Sequence, residues 1–302
     1  MSAPSVLYDA PGPKARVRYA IYSVIVVALL LAAGWFVYSG FADKGQFEAA
    51  KWKPFLESDI WTTYLLPGLR GTIVAAVLSI TLALVLGMLF GVLRLSDHRS
   101  VRLVAGTIVE FARAIPVLVL MIFLYAVYSL YNVFPAGQLS LAAVVTALTI
   151  YNGSVIAEIV RSGIRSLPKG QTEAAVALGM RKSQVMTSIL LPQAITAMLP
   201  ALVSQMVVAL KDSALGYLIS YLEIVRSGQR LGAALNNPIP ALLVVAAIMI
   251  ALNYALSVLA TQLEKWLRTR KRGGRTVVPA GTTMAPPGMD MTLDTPEIKG
   301  TP

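Results

Sequence analysis

The sequence predicts an all-α, polytopic membrane protein with six transmembrane helices, and three observations carry that prediction. Of the 302 residues, 56% are hydrophobic and only 14% are charged, with a mean hydropathy of +0.69. That is far more apolar area than a soluble domain can hide. The apolar residues fall in long uncharged runs, not in short alternating or 3.6-period segments. The Lys and Arg residues behind the net charge of +11 sit at the ends of those runs. There they read as topology signals and not as the interleaved basic patch of a nucleic-acid binder.

Crossing roughly 30 Å of hydrocarbon takes about 20 helical residues at ~1.5 Å each. Runs of that length occur at Tyr19 to Ala42, Gly71 to Leu93, Ala114 to Ala157, Ser183 to Leu210 and Leu231 to Leu263. The third is long enough to cross twice, and Asn132, Pro135, Gly137 and Gln138 supply a turn in its middle. The first follows Lys14, Arg16 and Arg18, is too long for a signal-peptide core, and reads as a retained anchor.

Residues 1–18 and 269–302 are rich in Ser, Pro and Gly or in Pro and basic residues, and disorder is expected of both. Residues 19–64 hold the extra first span and a segment with Trp52, Phe55, Trp61 and Tyr64 among charges. This segment suits a partly amphipathic helix in the outer interface, with a structural role. Residues 65–268 are left as the core.

Orientation follows from the cations, which stay on the cytoplasmic face near span ends. With the N-terminus inside, that face collects Arg94, Arg99, Arg102, Arg161, Arg165, Lys169, Arg181, Lys182 and the basic run after Lys265. The opposite face keeps fewer, among them Arg70, Lys211, Arg226 and Arg230. Both termini are therefore expected in the cytoplasm.

Several chemistries are excluded. Without cysteine there is no disulfide framework or thiol nucleophile, and the sole histidine, His98, makes no ligand cluster. No phosphate-binding loop, dinucleotide fingerprint or H-E-x-x-H motif occurs, so the chain does not hydrolyse ATP by itself and is read as non-catalytic.

The loop over residues 161–186 is the informative one. Pro168 and Gly170 break the preceding helix, Thr172 can cap a new one, Glu173 to Leu178 favour a short helix, and Gly179 can end it in the left-handed conformation. Small residues at Ala174, Ala175 and Ala177 permit close approach of a partner surface. On physical grounds alone it is either a docking element or a plain helical linker.

Glu173-Ala174-Ala175, then Gly179, Ile189 and Leu191-Pro192, have the spacing E-A-A-x3-G-x9-I-x-L-P. Flanking them are Ala157-Glu158 to Ile164, Pro168 to Gln171, Leu210 to Ser213, and Glu110-Phe111-Ala112-Arg113 before Pro116. The pattern resembles the permease subunits of binding-protein-dependent ABC importers, of the polar amino acid (histidine, glutamine and glutamate) type, from about Leu66 to Arg268. The extra first span and basic, Pro-rich tail are more common in actinobacterial-type members, which glutamate importers resemble.

The resemblance implies the type I importer permease fold in a bacterial cytoplasmic membrane. Glu173, Ala174, Ala175 and Gly179 would form a coupling helix seated in a groove of the ATPase. The implied partners are two ABC ATPase subunits, which use ATP and Mg, a second homologous permease and an extracytoplasmic binding protein, with no cofactor on this chain. The substrate would be a polar amino acid, glutamate first, with glutamine, aspartate, arginine or histidine as alternatives.

Simple topology makes Lys211 and Asp212 an interfacial ion pair, whereas the resemblance turns Lys211, Asp212 and Ser213 toward a central cavity. Ala214 departs from the family's K-D-T-S-L run. Glu158 and Arg161, and likewise Glu110 and Arg113, are spaced to pair along their helices. Asn152, Gln205 and Asn253 read as hydrogen-bond partners between spans. A secondary transporter would need midplane coupling residues and internal repeats, neither of which is evident, and a non-transporting scaffold has no use for the loop pattern.

Overall fold

The computed structural model describes residues 12–272, all helical or turn. Its principal helices are α1 (Pro13–Asp43), α2 (Leu66–Leu93), α3 (Arg99–Ala114), α4 (Val117–Leu130), α5 (Leu139–Arg165), α6 (Lys169–Ala177), α7 (Leu191–Asp212), α8 (Ile224–Ala234) and α9 (Pro238–Arg272). Five helical stretches are long and apolar enough to cross a membrane, and α3 with α4, taken as one broken span, make a sixth.

Most of the two termini expected to be disordered lies outside the described residues. Where the structure does describe them it differs from that expectation, since residues 13–18 open α1 and residues 269–272 close α9. Pro13 begins α1 where a missing N–H costs nothing, and the Lys and Arg of both flanks are good helix formers that extend a hydrogen-bond ladder already nucleated in the span.

The α3–α4 bend of 97° has a local cause. Ile115 is extended, as residues before proline prefer, and Pro116 caps α4. Ala105, Val109 and Ala112 give α3 one buried face, with Arg99, Arg102, Glu110 and Arg113 exposed. Such a helix suits the interface plane, so the apolar arm of this broken span begins at Val117 and not at Ala114.

Among the described residues, none packs on α1 closely enough to bury any of its side chains. The outer segment after it is broken into short turns at Ala49–Trp52, Lys53–Leu56 and Ser58–Ile60, not one amphipathic helix, because Pro54 and the extended Glu57 interrupt it. It is nonetheless anchored. Phe55, Ile60 and Leu65 pack with Ile224 and Leu231 of α8 and with Ala241 and Val245 of α9, and Asn237 Nδ2 donates to the Lys51 carbonyl at 2.5 Å.

The final span also starts later than expected, at Pro238. The apolar residues 231–234 belong to α8, and Asn236, at φ 48°, turns the chain before Pro238.

At the centre lies α5, against α2, α3, α4 and α7. Small residues on α2 let the backbones meet. A Cβ on Gly91 would lie 2.6 Å from Val160 Cβ, and one on Gly87 would strike Ile156, so the glycines four residues apart form a groove for α5. Ala83, Ile156, Val160, Ile164, Ala194, Met198 and Leu202 fill the core at the basic end. Nearer the other end, Leu120, Met121, Val144 and Leu148 pack beneath Ile219 and Tyr221.

Candidate coupling surface and translocation path

The loop helix α6 begins at Lys169 with Pro168 at its N-cap, so Thr172 lies inside the helix and does not cap it. The fixed φ of Pro168 sets the start one turn earlier. At the other end Gly179 adopts φ +77°. Its N–H donates to the Val176 carbonyl at 2.9 Å and the Met180 N–H to the Ala175 carbonyl at 3.1 Å, which is the paired-bond stop that a left-handed glycine makes possible.

Glu173, Ala174, Val176, Ala177, Leu178 and Gly179 are exposed, Leu178 by 82%. Ala175 is not available with them. It is 3% exposed and is turned into the chain, where α6 packs on the wide helical turn Val185–Leu190. Val176 and Leu178, absent from the sequence candidates, are the large apolar side chains this face presents; their signal was an apolar pair beside alanines on a hydrophilic loop.

Below α6 the loops are tied together by charge. Lys182 Nζ donates to the Leu95 carbonyl at 3.2 Å and pairs with Asp97. Arg94, 6% exposed at the end of α2, bonds Glu158 on α5 at 2.6 Å and Glu110 on α3 at 3.0 Å. The second Glu158 oxygen accepts from Arg161 at 2.7 Å. The Glu110–Arg113 pairing is not formed: Glu110 turns to the buried guanidinium of Arg94, and Arg113 lies 4.0 Å from Glu158. Sequence reasoning missed Arg94, whose partners come from elements far apart in the chain.

Lys211 and Asp212 close α7 without the ion pair expected of them. Adjacent helical residues point about 100° apart, and neither is in an ion pair with any described residue. Lys211 is exposed and Asp212 half-buried. Ser213 is fully buried and donates back to the Leu210 carbonyl at 2.7 Å, so its hydroxyl is not presented to a cavity.

After Ser213–Ile219 and the left-handed Ser220, the chain folds back onto α2. There Tyr221 Oη donates to the Gly71 carbonyl at 2.8 Å and the Ile224 N–H to Thr72 Oγ1 at 3.1 Å. Glu223, fully buried and outside the spans, caps α8 by accepting from the Val225 and Arg226 N–H groups at 2.8 and 2.6 Å. Burial pushes its carboxyl up to about 7.

Between spans, Gln205 Nε2 on α7 donates to Asn152 Oδ1 on α5 at 2.7 Å. Asn253 instead donates to the Met249 carbonyl of its own helix at 2.7 Å.

These features define a helical membrane protein with an exposed short helix on the loop between α5 and α7. Residues 83–269 match the family described as binding-protein-dependent transport system inner membrane component, and the chain belongs to that family. It is 59% identical over 227 residues to the glutamate transport system permease protein GluD of Corynebacterium glutamicum, covering 75% of this chain and 83% of that protein. To the glutamate/aspartate import permease protein GltK of Escherichia coli O6:H1 it is 30% identical over 207 residues, covering 67% and 92%. Among solved structures, an amino acid ABC transporter crystallised with histidines has a chain that superposes with a TM-score of 0.63 at 29% identity, covering 70% of this chain and 97% of that one.

Proposed function

We propose that this chain is the permease subunit of an ATP-driven ABC importer that carries a polar amino acid, glutamate first, into the cytoplasm. The α6 corner carries the reading: a short helix, stopped by Gly179, that exposes Glu173, Ala174, Val176 and Leu178 beyond the packed core. Its partner there is an ABC ATPase, two copies of which bind ATP and Mg while this chain stays non-catalytic. A second, similar permease completes the pore, and an extracytoplasmic binding protein delivers substrate. Both termini lie in the cytoplasm, on the side of the basic span ends.

In this reading, closure of the ATPase dimer moves α6, and α6 moves the Val185–Leu190 turn on which it rests and α7 beyond it. Bound substrate is then exposed first to one side and, after hydrolysis, to the other. The 59% identity to a glutamate permease supports glutamate. Glutamine, aspartate, arginine and histidine are the alternatives within the class.

Uptake of labelled glutamate, in cells with and without the gene and competed by unlabelled amino acids, tests the reading. Uptake lost with the gene and competed mainly by acidic amino acids is the expected result. Unchanged uptake of every amino acid overturns it.

A further inference from the structure

Between the basic end of α2 and one flank of α3 runs a groove of about 320 Å³, lined by Phe90 and Leu93 of α2 and by Ser100, Val101, Val104 and Ile108 of α3. The three branched side chains are exposed, and no described residue covers them. From Ser100 to Ile108 the groove follows about two turns of α3. Ser100 is its one polar lining residue and stands at the end next to the helix start.

That end is positively charged. His98 occupies the N-cap of α3 without a side-chain bond to the helix, and the Arg102 N–H, on the His98 carbonyl at 3.0 Å, is the first of the ladder. The N–H groups of Arg99, Ser100 and Val101 thus lack an acceptor among the described residues, at a helix end whose polarity favours an anion. Arg99 is exposed and forms no ion pair with any described residue. The carboxylates nearest to it along the chain are engaged elsewhere, Asp97 with Lys182 and Glu110 with Arg94. Arg102, which donates to the Ser96 carbonyl at 2.8 Å, holds a second cation against the same loop.

We propose that this groove binds one anionic phospholipid of the adjacent leaflet, its phosphate at the mouth on Arg99 and the first N–H groups of α3, and an acyl chain along Val101, Val104 and Ile108. An apolar helix of another subunit would fill the groove and leave the cationic mouth without a counter-charge. A zwitterionic lipid would bring its own ammonium to that mouth. An anionic lipid satisfies both halves, on a helix whose exposed arginines and single buried face already suit the interface plane. Binding of this lipid requires only that the chain span a membrane, so it survives failure of the importer reading.

Because the chain has no cysteine of its own, Val104→Cys reports occupancy of the groove through its labelling by an uncharged maleimide. The sample is the full chain with the subunits that co-purify with it, stripped of phospholipid in detergent and titrated with phosphatidylglycerol or phosphatidylcholine. Phosphatidylglycerol is expected to half-protect the cysteine at a concentration about fivefold lower, the preference that one arginine beside a headgroup supplies. Arg99→Gln should remove most of that difference and Arg99→Lys should keep it. Leu103→Cys, exposed beside Val104 but outside the groove, should show no preference.

Equal protection by the two lipids, or the same preference at Leu103→Cys, would mean ordinary lipid around the protein and overturns the site. A preference unchanged in Arg99→Gln overturns the placement of the headgroup. A cysteine at 104 that is unreactive in the stripped complex and reactive once it is denatured would put another subunit in the groove, which overturns the lipid.

Discussion

The Arg94 guanidinium meets the Glu158 carboxylate at 2.6 Å and joins the basic end of α2 to α5. With Arg94 only 6% exposed, the less exposed and closer carboxylate of Glu158 supplies most of what offsets its desolvation. Arg94→Ala is expected to destabilise the protein by about 3 kcal/mol. Glu110→Ala, at a 70% exposed position, should cost under about 1 kcal/mol. Thermal unfolding of the purified variants in detergent checks the order, and equal shifts would contradict it.

Contact between α2 and α5 depends on Gly91 lying under Val160. Gly91→Leu should overpack the pair and cost at least about 1–3 kcal/mol, and Val160→Ala in the same chain should recover part of the lost melting temperature. No recovery would mean that the clash lies elsewhere.

On the α6 corner, docking and folding should separate by residue. Leu178→Asp alters an exposed side chain and should abolish co-purification of the ATPase at an unchanged melting temperature. Ala175→Asp places a charge at a buried position and should lower the melting temperature. Gly179→Val forces a branched residue into φ +77° at a cost of about 1–2 kcal/mol. Retained ATPase binding by Leu178→Asp would remove this face from the interface.

Burial raises the Glu223 carboxyl from its ordinary 4.5 to about 7. The folded chain therefore holds this proton where the unfolded chain has released it, and the stability it contributes, full below 4.5, is lost as pH rises through about 7. Glu223→Gln, which keeps an acceptor for the α8 cap, should flatten the fall in melting temperature across that window. Parallel pH profiles for the variant and the parent chain would contradict this.

Span number and the turn near Asn132 to Gln138 were legible in the sequence, because long uncharged runs and Pro, Gly and Asn clusters act locally. So was the left-handed stop at Gly179. Two short helices escaped. The helix α3 has mixed composition and declares itself only through the face it buries, while α8 hides its apolar residues among Arg226, Gln229 and Arg230 and owes its burial to α2 and α9. The partners of Glu110 escaped as well, since spacing along one helix gives no sign of a guanidinium arriving from another. Burial of Ala175 separates it from its neighbours Glu173 and Ala174 for the same reason: sequence sets a residue's place on a helix, but packing decides which side is covered.

Where Gly87 and Gly91 admit Ile156 and Val160, only one layer of side chains separates the two backbones, and each branched residue is locked against a glycine. The two rods then pivot as one piece, and bending must be taken up where the helical ladder is already interrupted: at the Pro116 corner, in the wide turn Val185–Leu190 and at Pro200 within α7. Along the chain, Pro116 falls between the two stiff helices and the other two interruptions follow them.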